Sequence, residues 1–368
     1  MKKLKVVVAI LLVAVVFSVK GNQTANAMGI SSTCGILMEQ TTGRVLFEKC
    51  PDEQMYIASI TKILTSIVAI ENGQLDEWVE VSDNATRQVG SSLYLALGDQ
   101  MKLIDVIYGL MLRSGNDGAM VIAEAVGGDE AGFVKMMNEK AKEIGMKNSI
   151  FQNPSGLDET TYNLSTARDM AILMQYAMNN PIFREVTGTE THKATSKNGT
   201  PYVWHNKHKL VTGYYEYAIG GKTGFTERAR RTLVTSARKE DLELVVVTLK
   251  AGDDWNDHMS LFNYGFDNYE LKKVIEAGQL YGEDLNSTEK LYVKDTVYLA
   301  VKKDGSESVT TELVLYESPK TDEVGTLKIL LNDQVEREIP VYRPIQVKEK
   351  ELSWFDKFFN WFTGTVNY

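Results

Sequence analysis

Apolar positions recur along this chain with two spacings, and each predicts a different kind of element. Ile63, Leu64, Ile67, Val68 and Ile70 share one face at helical spacing, and Leu103 to Leu112 and Ala119 to Val126 repeat the pattern. Strands are predicted at Arg231 to Ala237 and at the fully apolar Leu244 to Leu249. Earlier, "CGILMEQTTGRVLFEKC" alternates around Thr41-Thr42-Gly43 and predicts a hairpin whose three-residue turn sets Cys34 opposite Cys50. Helices laid on a sheet whose hairpin comes first and whose other strands come late predict an α/β or α+β sandwich.

The texture changes after Gly278. Val297, Leu299 and Val301 alternate with polar neighbours, Leu313 and Leu315 do likewise, and Leu327, Ile329 and Leu331 lead to a turn at Asn332-Asp333. No long helical pattern follows, so residues 280–346 read as a small all-β domain. Both chain ends stand apart. Lys2, Lys3 and Lys5, an apolar run from Val6 to Val19 and then Ala25-Asn26-Ala27 have the order of a secretory signal covering residues 1–27, the other reading being a retained anchor. In residues 347–368, Trp354, Phe355, Phe358, Phe359, Trp361 and Phe362 would fall within about 160° of a helix, opposite Asp356, Lys357 and Asn360. That face suits a membrane surface, or a helix docked on its own protein. The body left between these ends, residues 28–279, is the larger domain.

Charge narrows the partners. Without the leader the chain carries 36 basic and 49 acidic residues, −13 in all. Phosphate binding needs clustered Lys and Arg, so nucleic acid is not an expected partner. Cys34 and Cys50 are the only cysteines, and an exported chain can join them in a disulfide. His205 and His208 have helical ligand spacing but no third ligand, so neither a metal nor another cofactor is expected.

Chemistry enters at Ser59-Ile60-Thr61-Lys62. At the start of a helix, positions i and i+3 share a face, which brings Lys62 Nζ toward Ser59 Oγ. Apolar Ile60 and Ile63 would help desolvate the ammonium and make it a base. Serine and lysine at this spacing are common by chance. Two further elements follow in order: Ser114-Gly115-Asn116 between helical runs, and Lys222-Thr223-Gly224 at the start of a strand run. Penicillin-binding proteins and class A β-lactamases carry this trio.

With "GRVLFEK", "NPSGLDE", "STARDMAILMQYAM", "GGKTGFTERARRTLVTSA" and "DDWNDHMSLFNYGF", the chain from about Ser32 to the aromatic tail resembles the serine-type D-alanyl-D-alanine carboxypeptidases, the low-molecular-mass penicillin-binding proteins. Those segments look closest to the sporulation-specific branch. The resemblance implies a DD-peptidase/β-lactamase-like sandwich of helices around a mainly antiparallel sheet, with a second small all-β domain. It implies that Ser59 is acylated, Lys62 takes its proton and Ser114 relays it to the leaving D-alanine. Asn116 would hold the substrate amide, Lys222 and Thr223 its carboxylate, and Gly224 would let substrate lie close to the strand. The N–H groups of Ser59 and Phe225 would form the oxyanion hole.

Peptidoglycan stem peptides would be the substrate and β-lactams covalent inhibitors. The location would be the outer face of the cytoplasmic membrane or the forespore intermembrane space. Glu243 stands where several relatives carry a basic residue, which puts a second cationic clamp in doubt. Glu159 and Asn163 have the spacing of a β-lactamase deacylation loop, although the flanking "NPSGLDETTYNLSTARDM" matches the carboxypeptidases. A class A-like β-lactamase and a catalytically silent wall-binding scaffold are the alternatives.

Overall fold

The early hairpin and the late strands meet in a single sheet. A computed structural model of the chain describes residues 29–279, 291–319 and 321–343; the expected leader and the aromatic tail lie outside the described residues. Strands β1 (Cys34–Glu39), β2 (Val45–Lys49), β3 (Ala218–Thr226), β4 (Arg230–Lys239) and β5 (Leu242–Ala251) form an antiparallel sheet in the order β2-β1-β5-β4-β3. The hairpin register predicted for the cysteines holds for Gly35 opposite Lys49 and Leu37 opposite Phe47. A bulge after Leu37 then sets Met38 opposite Val45, so the turn is longer than three residues. The Glu39 carboxylate accepts the N–H groups of Thr41 and Thr42, each at 2.7 Å, and fixes that turn.

Strand β5 shows why the sheet needs helices on both faces. Val245, Val247 and Leu249 enter one core with Ile36, Ile63 and Ile67, while Leu244 and Val246 enter a second with Leu261, Phe262 and Phe266. The first face carries α1 (Lys62–Asn72), α2 (Leu103–Arg113), α3 (Asn116–Gly127), α4 (Glu130–Glu143) and α5 (Ala167–Met178). Helix α6 (Pro181–Gly188) supports the edge strand β3, where Thr187 Oγ1 accepts the Gly221 N–H at 2.8 Å and donates to its carbonyl at 3.0 Å. The other face is covered by α7 (Asp254–Asn268). Each fully buried Val or Leu is worth about 1.5–3 kcal/mol, so the fully apolar stretch of β5 is the sheet's anchor.

Strand β6 (Tyr269–Ile275) continues directly from α7 and pairs with β7 (Val297–Lys302), linking the sandwich to the late β unit. There β8 (Val309–Leu315), β9 (Glu323–Leu331) and β10 (Gln334–Tyr342) form antiparallel neighbours. The predicted turn is present: Asn332 and Asp333 both take positive φ, 50° and 65°, as a two-residue hairpin turn requires. Val297, Leu299, Val301, Leu327, Ile329 and Leu331 form a separate core. Arg44, from the β1–β2 turn, pairs with Glu307 and donates to the Ala300 carbonyl, fastening the two units together.

Candidate active site

Three segments grip the turn that carries Ser59. Residues Ala58–Thr61 form one 3-10 turn ahead of α1, and Ala58 sits in the left-handed region with φ 49°. A non-glycine residue there is strained and needs its surroundings to hold it. Gly156 (φ 84°) supplies part of that hold: a Cβ on it would lie 2.0 Å from the Ala58 carbonyl oxygen. Thr232 Oγ1 donates to the Ile57 carbonyl at 2.9 Å. From β3, a Cβ at Gly224 would lie 2.4 Å from Thr232 Oγ1 and 3.0 Å from the Ser59 nitrogen. The glycine is therefore required by contact within the protein, as well as by any ligand laid on the strand.

Lys62 begins α1 and is fully buried. Its Nζ lies 3.2 Å from Ser59 Oγ and 2.8 Å from Asn116 Oδ1, and it also donates to the Ser155 carbonyl. Burial first, and then the nearby Lys222 charge, hold its pKa well below the ordinary lysine value; Lys207 adds to this and Asp117 opposes it. Among the described residues no carboxylate touches the amine, so its charged form is poorly compensated.

Helix α2 stops at Arg113 because Ser114 turns left-handed (φ 66°, ψ 33°), and α3 begins at Asn116. This break delivers Ser114 to the cleft and Asn116 to Lys62. Asn116 Nδ2 donates to the Val89 carbonyl at 2.6 Å, leaving its second N–H for a ligand. Buried Asp117 organises the neighbouring loop, accepting the Ser92 hydroxyl at 2.7 Å and the Leu93 N–H at 2.9 Å.

The third motif lies in the middle of β3, the strand that pairs with the Arg231–Ala237 run, rather than at a strand start. Lys222 is buried, and desolvation followed by the Lys207 charge pushes its pKa down to about 7. Its Nζ donates to the Thr223 carbonyl at 2.8 Å. Ser59, Ser114, Thr223, Gly224 and Phe225 line a cleft of about 370 Å³, together with Lys207, Arg231, Asp254 and Trp255.

The last four are residues that sequence reasoning missed. Arg231 pairs with Asp254, with Nε 3.0 Å from Oδ1, and its guanidinium lies 5.8 Å from the Trp255 ring centre. The doubt raised by Glu243 thus has an answer in position. Glu243 is bound to Arg184 by two 2.9 Å bonds away from the cleft, and a cation reaches the site from β4 instead. Only the arginine-rich "RARR" pointed toward it, without saying which arginine turns inward.

Other expected residues fall elsewhere. Cys34 and Cys50 are free thiols in this structure, with sulfurs within 4.8 Å of each other. Cys50 has left the strand register at φ 37°, and its thiol donates to the Thr33 carbonyl at 2.9 Å. Glu159 is exposed and does not line the cleft, whereas Asn163 is buried and donates to Thr61 Oγ1 at 3.0 Å. His205 faces Thr191 at a strand end. His208 is buried 3.0 Å from Thr235 Oγ1, which also meets His258 at 2.9 Å. The two candidate ligands therefore serve separate hydrogen bonds.

The family model described as D-alanyl-D-alanine carboxypeptidase matches residues 21–253, and that of the penicillin-binding protein 5 C-terminal domain matches residues 269–349. The chain is 27% identical to D-alanyl-D-alanine carboxypeptidase DacF of Bacillus subtilis strain 168, over 93% of this chain and 92% of that one. It is 32% identical to a D-alanyl-D-alanine carboxypeptidase of Streptomyces strain K15, over 64% of this chain and 88% of that one. The crystal structure of penicillin binding protein 5 from Haemophilus influenzae superimposes with a TM-score of 0.74 at 24% identity, over 86% of this chain and 97% of that one, and so shares the fold.

Proposed function

This chain belongs to the D-alanyl-D-alanine carboxypeptidase family and is a serine enzyme of that class; we propose how its side chains divide the reaction on peptidoglycan stem peptides. The observation that carries the reading is the hydrogen bonding of Lys62. A neutral lysine amine has two N–H bonds and one lone pair. Asn116 Oδ1 and the Ser155 carbonyl accept the two N–H bonds, which leaves the lone pair for the Ser59 hydroxyl 3.2 Å away. Burial favours that neutral form.

Ser59 Oγ then attacks the carbonyl of the penultimate D-alanine as Lys62 takes its proton. The N–H groups of Ser59 and Phe225 stabilise the oxyanion. Ser114, which lines the same cleft as Ser59, passes the proton to the leaving D-alanine nitrogen, and water completes the cycle by hydrolysing the ester. Thr223 and Lys222, with Arg231 on the same cleft wall, receive the terminal carboxylate. A β-lactam offers the same carboxylate and acylating carbonyl. Glu159 is exposed and outside the cleft, and the one carboxylate among the cleft-lining residues, Asp254, is held by Arg231, which argues against a β-lactamase.

The test is D-alanine released from a soluble pentapeptide. The intact protein should release it and Ser59→Ala should not; equal release by both would remove the assignment. Bound benzylpenicillin should persist beyond removal of free drug. Loss within seconds, slowed by Glu159→Gln, would favour the β-lactamase.

The organisation proposed around this site is a leader at 1–27, the catalytic unit at 28–279, the β unit at 280–346 and a membrane-associating helix at 347–368. It places the enzyme on the outer face of the membrane, and the sporulation branch places it in the forespore envelope. Vesicle flotation with and without residues 351–368 tests the helix, since equal partitioning would exclude it as an anchor. Timing of the protein's appearance during sporulation tests the branch.

A further inference from the structure

The reading above sets the direction of the substrate, and the structure then shows what the substrate meets next. With the terminal carboxylate near Lys222 and Thr223 and the scissile carbonyl near the Phe225 N–H, the rest of the stem runs past Phe225 toward the β3–β4 turn. That turn is short and rigid. Thr226 pairs with Arg230 across Glu227-Arg228-Ala229. The Thr226 hydroxyl donates to Asp158 at 2.6 Å and accepts the Ala229 N–H at 3.0 Å.

Three arginines, Arg228, Arg230 and Arg231, lie within this turn and the first two residues of the strand after it, in a chain that is otherwise strongly acidic. Arg231 is held by Asp254, and Arg230 by Glu227 at 3.1 Å. Arg228 is exposed and has no carboxylate in ion-pair reach among the described residues. Its guanidinium lies 5.9 Å from the ring centre of Tyr56, which meets Tyr162 edge-on at 6.0 Å. Tyr56 is three residues before Ser59, and Arg228 is three residues after Phe225. The two segments that flank the reacting carbonyl therefore meet at this pair, on the side where the stem leaves the cleft.

A guanidinium held over an aromatic ring at this distance keeps its N–H groups free for a carboxylate. We propose that Arg228, positioned by Tyr56, recognises a carboxylate on the stem peptide upstream of D-Ala-D-Ala. The inference rests on the substrate direction given above. Such stems offer this group on the γ-linked glutamyl residue and, where the third residue is diaminopimelyl, on its side chain.

Three soluble pentapeptides decide between these sources: one with both carboxylates free, one amidated at the glutamyl position and one amidated at the diamino acid. For the intact protein, amidation at one position should lower kcat/KM about two- to fivefold, the range of an exposed ion pair, chiefly through KM. The position that matters identifies the carboxylate. Arg228→Gln should treat all three peptides alike, and Arg228→Lys should retain part of the discrimination. An Arg228→Gln variant that discriminates like the intact protein would overturn the inference, as would an intact protein that does not discriminate. Absence of D-alanine release from all three would instead remove the catalytic reading, and this inference with it.

Discussion

Strand β5 crosses the centre of the sheet with a Val, Leu or Thr at every position from Leu244 to Leu249, and six of these side chains are fully buried. Strand β3 closes the edge of the same sheet with three glycines in nine residues and a lysine at its middle. In the centre, apolar burial on both faces supplies the stability. At the edge, unpaired backbone groups are free to align an extended peptide, and the glycines let the nucleophile turn approach. The edge is held by its neighbours: Thr187 on Gly221, Thr232 on Ile57, and Gly224 against Ser59. Stability and chemistry have thus been assigned to different strands of one sheet.

The largest expected effect breaks the centre. Phe262 is fully buried against Leu244 and Val246 on the α7 face, so Phe262→Ala should cost about 3–5 kcal/mol by denaturant unfolding. D-Alanine release per folded molecule should change by less than about twofold. A tenfold fall in turnover of the folded fraction would show that the two regions are not separate.

The opposite change sharpens the contrast. Burial holds the Lys222 pKa at about 7, below the usual ~10.4 of an unfolded chain. Between those values the unfolded chain keeps a proton that the folded protein lacks. Stability should therefore rise with pH across this window and be lowest, and flat, below about 7. Lys222→Met should remove that penalty and raise Tm at pH 7 by a few degrees, at roughly 2–4 °C per kcal/mol. The advantage should shrink toward pH 10, and carboxylate binding should be lost. A lower Tm, or a difference independent of pH, would show that the lysine contributes to the fold.

The same division explains what the sequence disclosed. The core of β5 and the helix α1 were legible because hydrophobic spacing is a local signal. The site was legible through motifs: Ser59 and Lys62 are three residues apart, and a helix start fixes their geometry. What surrounds the motifs was not legible. The Ser155 carbonyl meets Lys62 across 93 residues and Asn163 meets Thr61 across 102, and no periodicity records such contacts. Ala58 gives no sequence sign of its left-handed backbone, which is imposed by packing against Gly156. The cysteine register was read correctly from the alternation, but Cys50 lies just beyond the last strand residue, where the backbone turns away, and no local pattern records that turn.

The central claim is that a buried, neutral Lys62 activates Ser59. Its most direct test is the rate and position of acylation by benzylpenicillin, followed by intact mass and peptide mapping for the intact protein, Ser59→Ala and Lys62→Ala. The account predicts one adduct on Ser59, none in Ser59→Ala, and acylation slower by at least about a hundredfold in Lys62→Ala, the lower end of general-base contributions. An adduct retained in Ser59→Ala, or a near-normal rate in Lys62→Ala, would contradict it.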